Sequence, residues 1–180
     1  MTVDNSSRSF RFSRATLAAW SAAPLRLIVG YGFIAHGWAK LARGPEHFIA
    51  ILQALDIPAA GVLAWATILV ELVGGGAVLA GAFIPLVSPP MAAILVVATA
   101  TVHWQNGFSS IKLLAVGAGG PHFGPPGYET DLLYLACLSA LALSGPGPFA
   151  LTRVLSRSGG AEKNLPASKA VPPADHGASQ

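Results

Sequence analysis

The stretch AAGVLAWATILVELVGGGAVLAGAFI, residues 59–84, decides the fold. It is apolar for long enough to cross a bilayer, since about 20 apolar residues span a hydrocarbon core of about 30 Å. One ionisable residue, Glu71, lies close to its middle. A carboxylate at that depth is costly unless it is paired, protonated or next to water. The stretch therefore predicts a membrane span in which Glu71 meets a polar partner.

The composition of the whole chain indicates a membrane protein. Of the 180 residues, 53% are hydrophobic and 11% are charged, whereas a soluble domain carries about 25% charged residues. The formal net charge of +3 comes mainly from the tails, and the sequence has no basic stripe with interleaved aromatic residues. We therefore expect a lipid bilayer as the environment and no nucleic acid as a partner.

Four apolar stretches divide the chain, at residues 22–42, 59–84, 89–106 and 131–150. Unbroken apolar runs of this length predict an all-α fold, a four-helix transmembrane bundle. The expected organisation is a basic cytoplasmic N-terminal segment at 1–21, a four-span membrane domain at 22–155 and a disordered cytoplasmic tail at 156–180. A short turn is expected at 86–90, between the second and third spans.

The distribution of Lys and Arg predicts the orientation. Seven lie on the N-terminal flank and in the C-terminal tail, and three lie at the opposite ends of the spans. Because basic residues favour the cytoplasm, both termini are expected inside and the loops at 43–58 and 107–127 outside.

Cysteine and histidine usage narrows the possible chemistry. Cys137 is the single cysteine, which excludes an intrachain disulfide and C-x-x-C redox chemistry. The histidines show no zinc-type spacing, so no metal site is predicted. No sequence motif for flavin, haem or an iron–sulfur cluster is present, so electrons in any redox reaction would come from a partner protein.

The polar residues of the first two spans form a candidate cluster. Glu71 shares a helix face with Gly74 and Gly75, which predicts that it points into the bundle. With Pro24 and Pro58 taken as the ends of the spans and a rise of about 1.5 Å per residue, Glu71 is placed level with Tyr31. We expect Glu71 to pair with Arg26, or to be protonated against Tyr31 or His36. The candidate cluster is Arg26, Tyr31, His36 and Glu71.

Five short motifs follow one another along the spans. They are RLxxGxxFxxHGxxK at 26–40, ELxGG at 71–75, HWxNGF at 103–108, GYExxLLY at 127–134 and GPG at 145–147. Together they resemble the DoxX family of bacterial four-helix membrane proteins, over about residues 22–155. The segment 111–126 looks longer than the usual connection in that family.

The resemblance implies a location and a range of activities. The family is named for its similarity to the small subunit of thiosulfate:quinone oxidoreductase, and some members are linked to membrane oxidoreductase assemblies or quinone detoxification. It implies the bacterial cytoplasmic (inner) membrane, a partner protein of a redox complex, and quinone as the candidate cofactor. It also marks further candidate binding residues, namely Lys40, His103, Asn106, Tyr128 and Glu129.

Two classes of function remain open at this point. In the first, the chain is a subunit or accessory of a quinone-linked oxidoreductase, and Glu71 supplies or takes a proton in a crevice of the bundle. In the second, it is a non-catalytic membrane scaffold or assembly protein. The same residues have structural interpretations, because the histidines can be interfacial and Tyr128 and Glu129 can simply begin the fourth span. A proton-coupled transporter is a weaker third interpretation, since one buried carboxylate makes a thin proton pathway.

Overall fold

The computed structural model describes residues 14–145, 147 and 150–151, with side chains from residue 20 onward. Most of these residues are helical. The five helices are α1 (Arg14–Arg43), α2 (Pro45–Ala54), α3 (Ala60–Ala80), α4 (Ile84–Asn106) and α5 (Glu129–Ser144). Between α4 and α5, strands β1 (Leu113–Gly117) and β2 (Gly120–Phe123) form an antiparallel hairpin. The predicted tail at 156–180 and residues 1–13 lie outside the described residues.

Helices α3 and α4 are long and apolar enough to cross a membrane by length and composition. They contain 21 and 23 residues, and at about 1.5 Å per residue each is long enough for a hydrocarbon core of about 30 Å. The mostly helical prediction is confirmed. The hairpin shows that the all-α description was incomplete.

The four long helices pack in a ring in which each contacts two others. Helix α1 packs against α3 and α5, and α4 packs against the same two helices. The main apolar core fills the space between them, with Val29 and Phe33 from α1, Val78 from α3, Met91 from α4 and Leu138 from α5 all buried. Burial of these side chains fixes which face of each helix points inward.

Two glycines bring the backbones of α1 and α3 into contact. A Cβ atom on Gly30 would lie 2.8 Å from the carbonyl oxygen of Gly75, and a Cβ atom on Gly75 would lie 2.8 Å from the carbonyl oxygen of Gly30. Small residues permit such close approach between helices in lipid. The same register places Gly37 next to Glu71, because a Cβ atom on Gly37 would lie 3.0 Å from Cβ of Glu71.

Helix α1 continues through Pro24, so this proline does not begin the helix. One predicted boundary is wrong. The turn between the second and third long helices lies at residues 81–83 and not at 86–90. Gly81 ends α3 with φ 68°, a left-handed conformation that glycine adopts without steric cost. Pro89 and Pro90 lie inside α4.

The predicted outer loop at 43–58 contains the additional helix α2. Pro45 stands at its start, where the missing N–H of proline is not needed and its fixed φ suits the helix. Helix α2 packs against α1 and α3, and its buried Leu52 contacts a small second core with Ala60 and Ala64. This helix covers one end of the space between the long helices.

Candidate functional site

A cavity of ≈ 530 Å³ lies among the five helices, and we call it the crevice. Its walls are mostly apolar and come from every helix; they include Phe33, Phe48, Leu63, Val70, Ile94 and Tyr134. Small-molecule sites in proteins have volumes of about 300–1,000 Å³ and combine apolar walls with a few polar groups. The crevice has this character.

The first polar group of the crevice is an ion pair between Lys40 and Glu71. The Lys40 ammonium donates to both carboxylate oxygens of Glu71, with Nζ–O distances of 2.5 and 2.6 Å. The Glu71 side chain is 5% exposed and the Lys40 side chain is 22% exposed. The ammonium also lies 4.9 Å from the ring centroid of Phe48, a cation–π contact that joins α2 to the pair.

The expected pair between Arg26 and Glu71 is wrong. The Arg26 guanidinium instead donates to the backbone carbonyls of Val78 and Leu79, at 3.2 and 2.5 Å. Arg26 therefore binds the C-terminal end of α3, where the Val78 carbonyl also accepts from the backbone N–H of Gly81 at 3.0 Å. The prediction failed because the glycine contact sets the register of α1 on α3, and this register places Gly37, not Tyr31, level with Glu71.

The second polar group of the crevice is formed by His103 and Asp131, and Thr99 supports it from outside the crevice lining. His103 Nδ1 lies 2.5 Å from Asp131 Oδ2, and the Thr99 hydroxyl donates to the same oxygen at 2.9 Å. Asp131 is buried. Nδ1 of His103 is held by Asp131, so Nε2 is the ring nitrogen left for another partner, and it donates when it carries a proton and accepts when it does not.

Sequence reasoning did not single out Asp131 as a site residue. It stands in the first turn of α5 beside Glu129, where acidic residues are common because they suit the helix dipole. Burial distinguishes the two, since Asp131 faces the crevice and is buried whereas Glu129 is only half-buried. The sequence signal that could have indicated burial of Asp131 is the unbroken apolar run that follows it.

Both polar groups include a π-helical segment. Residues Val70–Gly74 of α3 form a π turn that contains Glu71, and residues Thr99–His103 of α4 form a second one that contains Thr99 and His103. A π turn inserts an extra residue into a helix and re-aims the side chains next to it, and such turns occur frequently at functional sites. Their coincidence with the two polar groups marks the crevice as the site.

The predicted cluster of Arg26, Tyr31, His36 and Glu71 is only partly brought together. His36 and Glu71 line the crevice, but Arg26 and Tyr31 are not among its lining residues. Tyr31 is 67% exposed on the outer surface of α1. Of the further candidates, Lys40 and His103 line the crevice.

The remaining candidates hold the base of the loop that carries the hairpin. Asn106 Nδ2 donates to the carbonyl of Pro126 at 3.1 Å. Glu129 accepts a hydrogen bond from the backbone N–H of Ser110 at 3.0 Å. The ring of Tyr128 stacks on the indole at the end of α4, with 5.2 Å between ring centroids. These contacts stabilise the loop at the ends of α4 and α5, and none of these residues lines the crevice.

The polar groups of the crevice suit an organic ligand. Lys40 offers three N–H donors, and His103 offers a second ring nitrogen. In the described part of the chain, no group of three or more His, Cys, Asp or Glu side chains is arranged to hold a metal ion. An apolar volume with an ammonium and an imidazole at two parts of its wall suits a molecule that carries carbonyl or hydroxyl groups.

Two apolar helices long enough to cross a bilayer are typical of a helical membrane protein. The DoxX family model matches residues 21–104. This match confirms, over these residues, the resemblance to the DoxX family found in the motifs, and together the two observations indicate a helical membrane protein. The matched region contains Lys40, Glu71 and His103, whereas Asp131 lies beyond it. Comparisons with curated proteins and with solved structures gave no match.

Proposed function

We propose that the protein is an integral membrane subunit or accessory of a quinone-linked redox system. In this proposal α1 and α5 cross the bilayer together with α3 and α4, as a four-span bundle in the bacterial inner membrane with both termini in the cytoplasm. The match to the DoxX family model over residues 21–104 supports a membrane protein of the thiosulfate:quinone oxidoreductase type. The ring packing of the four long helices is compatible with four spans.

One observation carries the proposal, namely that the Lys40–Glu71 ion pair and the hydrogen-bonded His103–Asp131 pair face a single apolar crevice. A quinone head group is a flat ring with carbonyl oxygens, and a volume of ≈ 530 Å³ accommodates it. Hydrogen bonds to those oxygens are strong where water is excluded. The residues present therefore fit such a ligand, with an ammonium on α1 and an imidazole on α4.

The chain's own residues have distinct roles in this proposal. Two N–H groups of Lys40 are directed at Glu71, and the third can donate to a ligand carbonyl. Asp131 holds Nδ1 of His103, which leaves Nε2 as the atom that can exchange a proton with a ligand hydroxyl. A bound quinone would supply the two-electron chemistry, and a partner protein would supply or remove the electrons.

A non-catalytic scaffold is the second candidate, and one observation favours it. Among the described residues, no buried side-chain nitrogen or oxygen lacks a hydrogen-bond partner. Both polar pairs, Lys40–Glu71 and His103–Asp131, are therefore complete without a ligand, and each can act as a brace between two helices. Glu71 and Lys40 join α3 to α1, and His103 and Asp131 join α4 to α5.

Binding of a short-chain quinone to the protein in lipid nanodiscs separates the two candidates. The variants are the double substitution Lys40→Gln/Glu71→Gln, which removes the ion pair without leaving one charge alone, and His103→Gln. We expect each to weaken binding by about tenfold or more, because a buried hydrogen bond to the ligand contributes about 1.4 kcal/mol.

Tyr31→Phe is the matched control, since Tyr31 is exposed and lies outside the crevice lining. It should bind quinone like the unchanged protein. Helix content and thermal unfolding should be recorded for every variant. If the unchanged protein binds no quinone, either purified or in membranes that contain its partners, the scaffold is the correct interpretation.

A further inference from the structure

The hairpin between α4 and α5 has one apolar face and one face of small and polar residues. Its cross-strand pairs are Leu113 with Phe123, Ala115 with His122, Val116 with Pro121, and Gly117 with Gly120. Paired residues point to the same face of an antiparallel hairpin, and successive residues alternate. The apolar face therefore carries Leu113, Val116, Pro121 and Phe123, and the other face carries Ala115, Gly117, Gly120 and His122.

An irregularity in β1 produces this segregation. The register shifts between Leu113 and Ala115, which leaves Leu114 as an extra residue in the strand. Without the shift, Leu113 and Val116 would lie on opposite faces, because they are separated by an odd number of positions. A bulge of this kind re-aims side chains, and here it places both residues on one face.

The apolar face is bare. Leu113 is 57% exposed, Val116 is 73% exposed and Phe123 is 58% exposed. None of them lines the crevice, so the hairpin does not serve as one of its walls. The two strands of the hairpin have five and four residues. Three large apolar side chains exposed on one face of so small a hairpin mark a contact surface.

The base of the hairpin is fixed at the end of an apolar helix that is long enough to cross a membrane. Helix α4 ends at Asn106, and β1 begins at Leu113. The backbone N–H of Gly127 donates to the carbonyl of Ser109 at 3.0 Å, and that of Gly124 donates to the carbonyl of Lys112 at 2.8 Å. The hairpin therefore leaves the helices where a membrane span ends, next to the lipid surface.

Charge and aromatic residues at this position also suit a lipid surface. Residues 107–127 contain no Asp or Glu and carry one basic residue, Lys112, which is complementary to lipid phosphates. Trp104 and Phe108 at the base are 66% and 57% exposed. Aromatic residues are enriched at the level of the lipid headgroups.

We propose that the hairpin is an interfacial anchor whose apolar face lies on the lipid bilayer. It occupies the boundary between headgroups and acyl chains of the adjacent leaflet, and the face with Ala115 and His122 points to water. The boundary is the correct depth, because water there satisfies the free backbone groups of the strand edges, which the hydrocarbon core would not. The anchor is independent of quinone binding, and it can exist in a redox subunit or in a scaffold.

Quenching of a fluorescent label attached to single cysteines tests the anchor. In a Cys137→Ser background, cysteines are placed at Val116 on the apolar face and at its neighbour Ala115 on the other face. The full chain is labelled with an environment-sensitive dye and placed in nanodiscs. Quenching is measured with nitroxide-bearing lipids and with aqueous iodide. We expect the lipid quencher to act several-fold more strongly on the label at Val116, and iodide to act more strongly on the label at Ala115.

A second matched pair, Phe123→Cys and His122→Cys, should give the same contrast on β2. Unchanged helix content shows that each labelled protein is folded. Equal quenching of both faces by iodide would place the hairpin in water and overturn the proposal. Protection of the Val116 label from both quenchers would show that protein covers the apolar face, which would also overturn it.

Discussion

Removal of Lys40 should destabilise the protein more than removal of the charge on Glu71. The two side chains are unequally buried, at 22% exposed for Lys40 and 5% exposed for Glu71. Lys40→Met leaves a carboxylate almost completely buried without its partner, and loss of one member of a buried pair costs about 3–5 kcal/mol. Glu71→Gln leaves an ammonium that still reaches solvent and the Phe48 ring, so we expect about 1–3 kcal/mol.

The double variant Lys40→Met/Glu71→Gln measures the interaction between the two side chains. It removes both charges, so its loss of unfolding free energy should be smaller than the sum of the two single losses by more than about 1 kcal/mol. The assay is reversible unfolding in mixed detergent micelles with increasing denaturing detergent, followed by circular dichroism. The four proteins of the cycle are measured under one condition.

A parallel cycle with Arg26→Met and Glu71→Gln is the control. Arg26 contacts carbonyls at the far end of α3, and distant substitutions add within about 0.5 kcal/mol. Additive losses for Lys40 with Glu71, together with strong coupling for Arg26 with Glu71, would refute the register described for α1 and α3.

Three further predictions concern the helix contacts, the second polar group and the topology. Gly75→Ala should destabilise the protein by about 1–3 kcal/mol, because its Cβ would lie 2.8 Å from the carbonyl oxygen of Gly30. Gly76→Ala, whose Cβ would have nothing within 4 Å, should be neutral or stabilising. Equal effects of the two variants in thermal unfolding would contradict the close contact. Asp131→Leu should lower the unfolding free energy by about 1–3 kcal/mol, because it removes the partner of both His103 and Thr99. Thr99→Val should lower it by less. A larger effect of Thr99→Val in the same unfolding assay would show that Asp131 does not organise the contacts among these three residues. Reporter fusions at residues 120 and 180 should report the outside and the cytoplasm respectively, and a cytoplasmic signal at residue 120 would reverse the proposed topology.

Apolar length was enough to predict the long helices. The run at 59–84 contains α3, and the run at 89–106 falls within α4. The turn was misplaced by a few residues. Gly81, a glycine with positive φ, ends α3, and Pro89 and Pro90, which fall in the predicted turn, lie inside α4.

The partner of Glu71 could not be predicted from the depth of residues in the bilayer. Such a calculation needs the ends of both spans, and Pro24 turned out to lie inside α1. The register is set by the contact between Gly30 and Gly75, which is a property of two surfaces and not of either helix alone. Lys40 was already a candidate binding residue through the family motif, but only the packing of α1 on α3 joins it to Glu71.

The hairpin was not predicted because its sequence signal is weak. Strand β2 contains glycine and proline, both of which are depleted in strands, and the bulge at Leu114 breaks the alternation of β1. The turn between the strands lies in a glycine-rich segment, which suits either a hairpin or an irregular loop. The apolar face becomes visible only once the cross-strand pairs are known.

The proposed function depends on binding of a quinone head group in the crevice lined by Lys40, Glu71 and His103. Photo-crosslinking with a reactive quinone analogue in native membranes, followed by peptide mass spectrometry, examines this binding at the level of single residues. We predict crosslinks to crevice-lining residues of α1, α2 and α4 that excess unlabelled quinone abolishes, and that are lost in Lys40→Gln/Glu71→Gln/His103→Gln but kept in Tyr31→Phe. Crosslinks confined to residues outside the crevice, or crosslinking that excess quinone does not reduce, would contradict the claim.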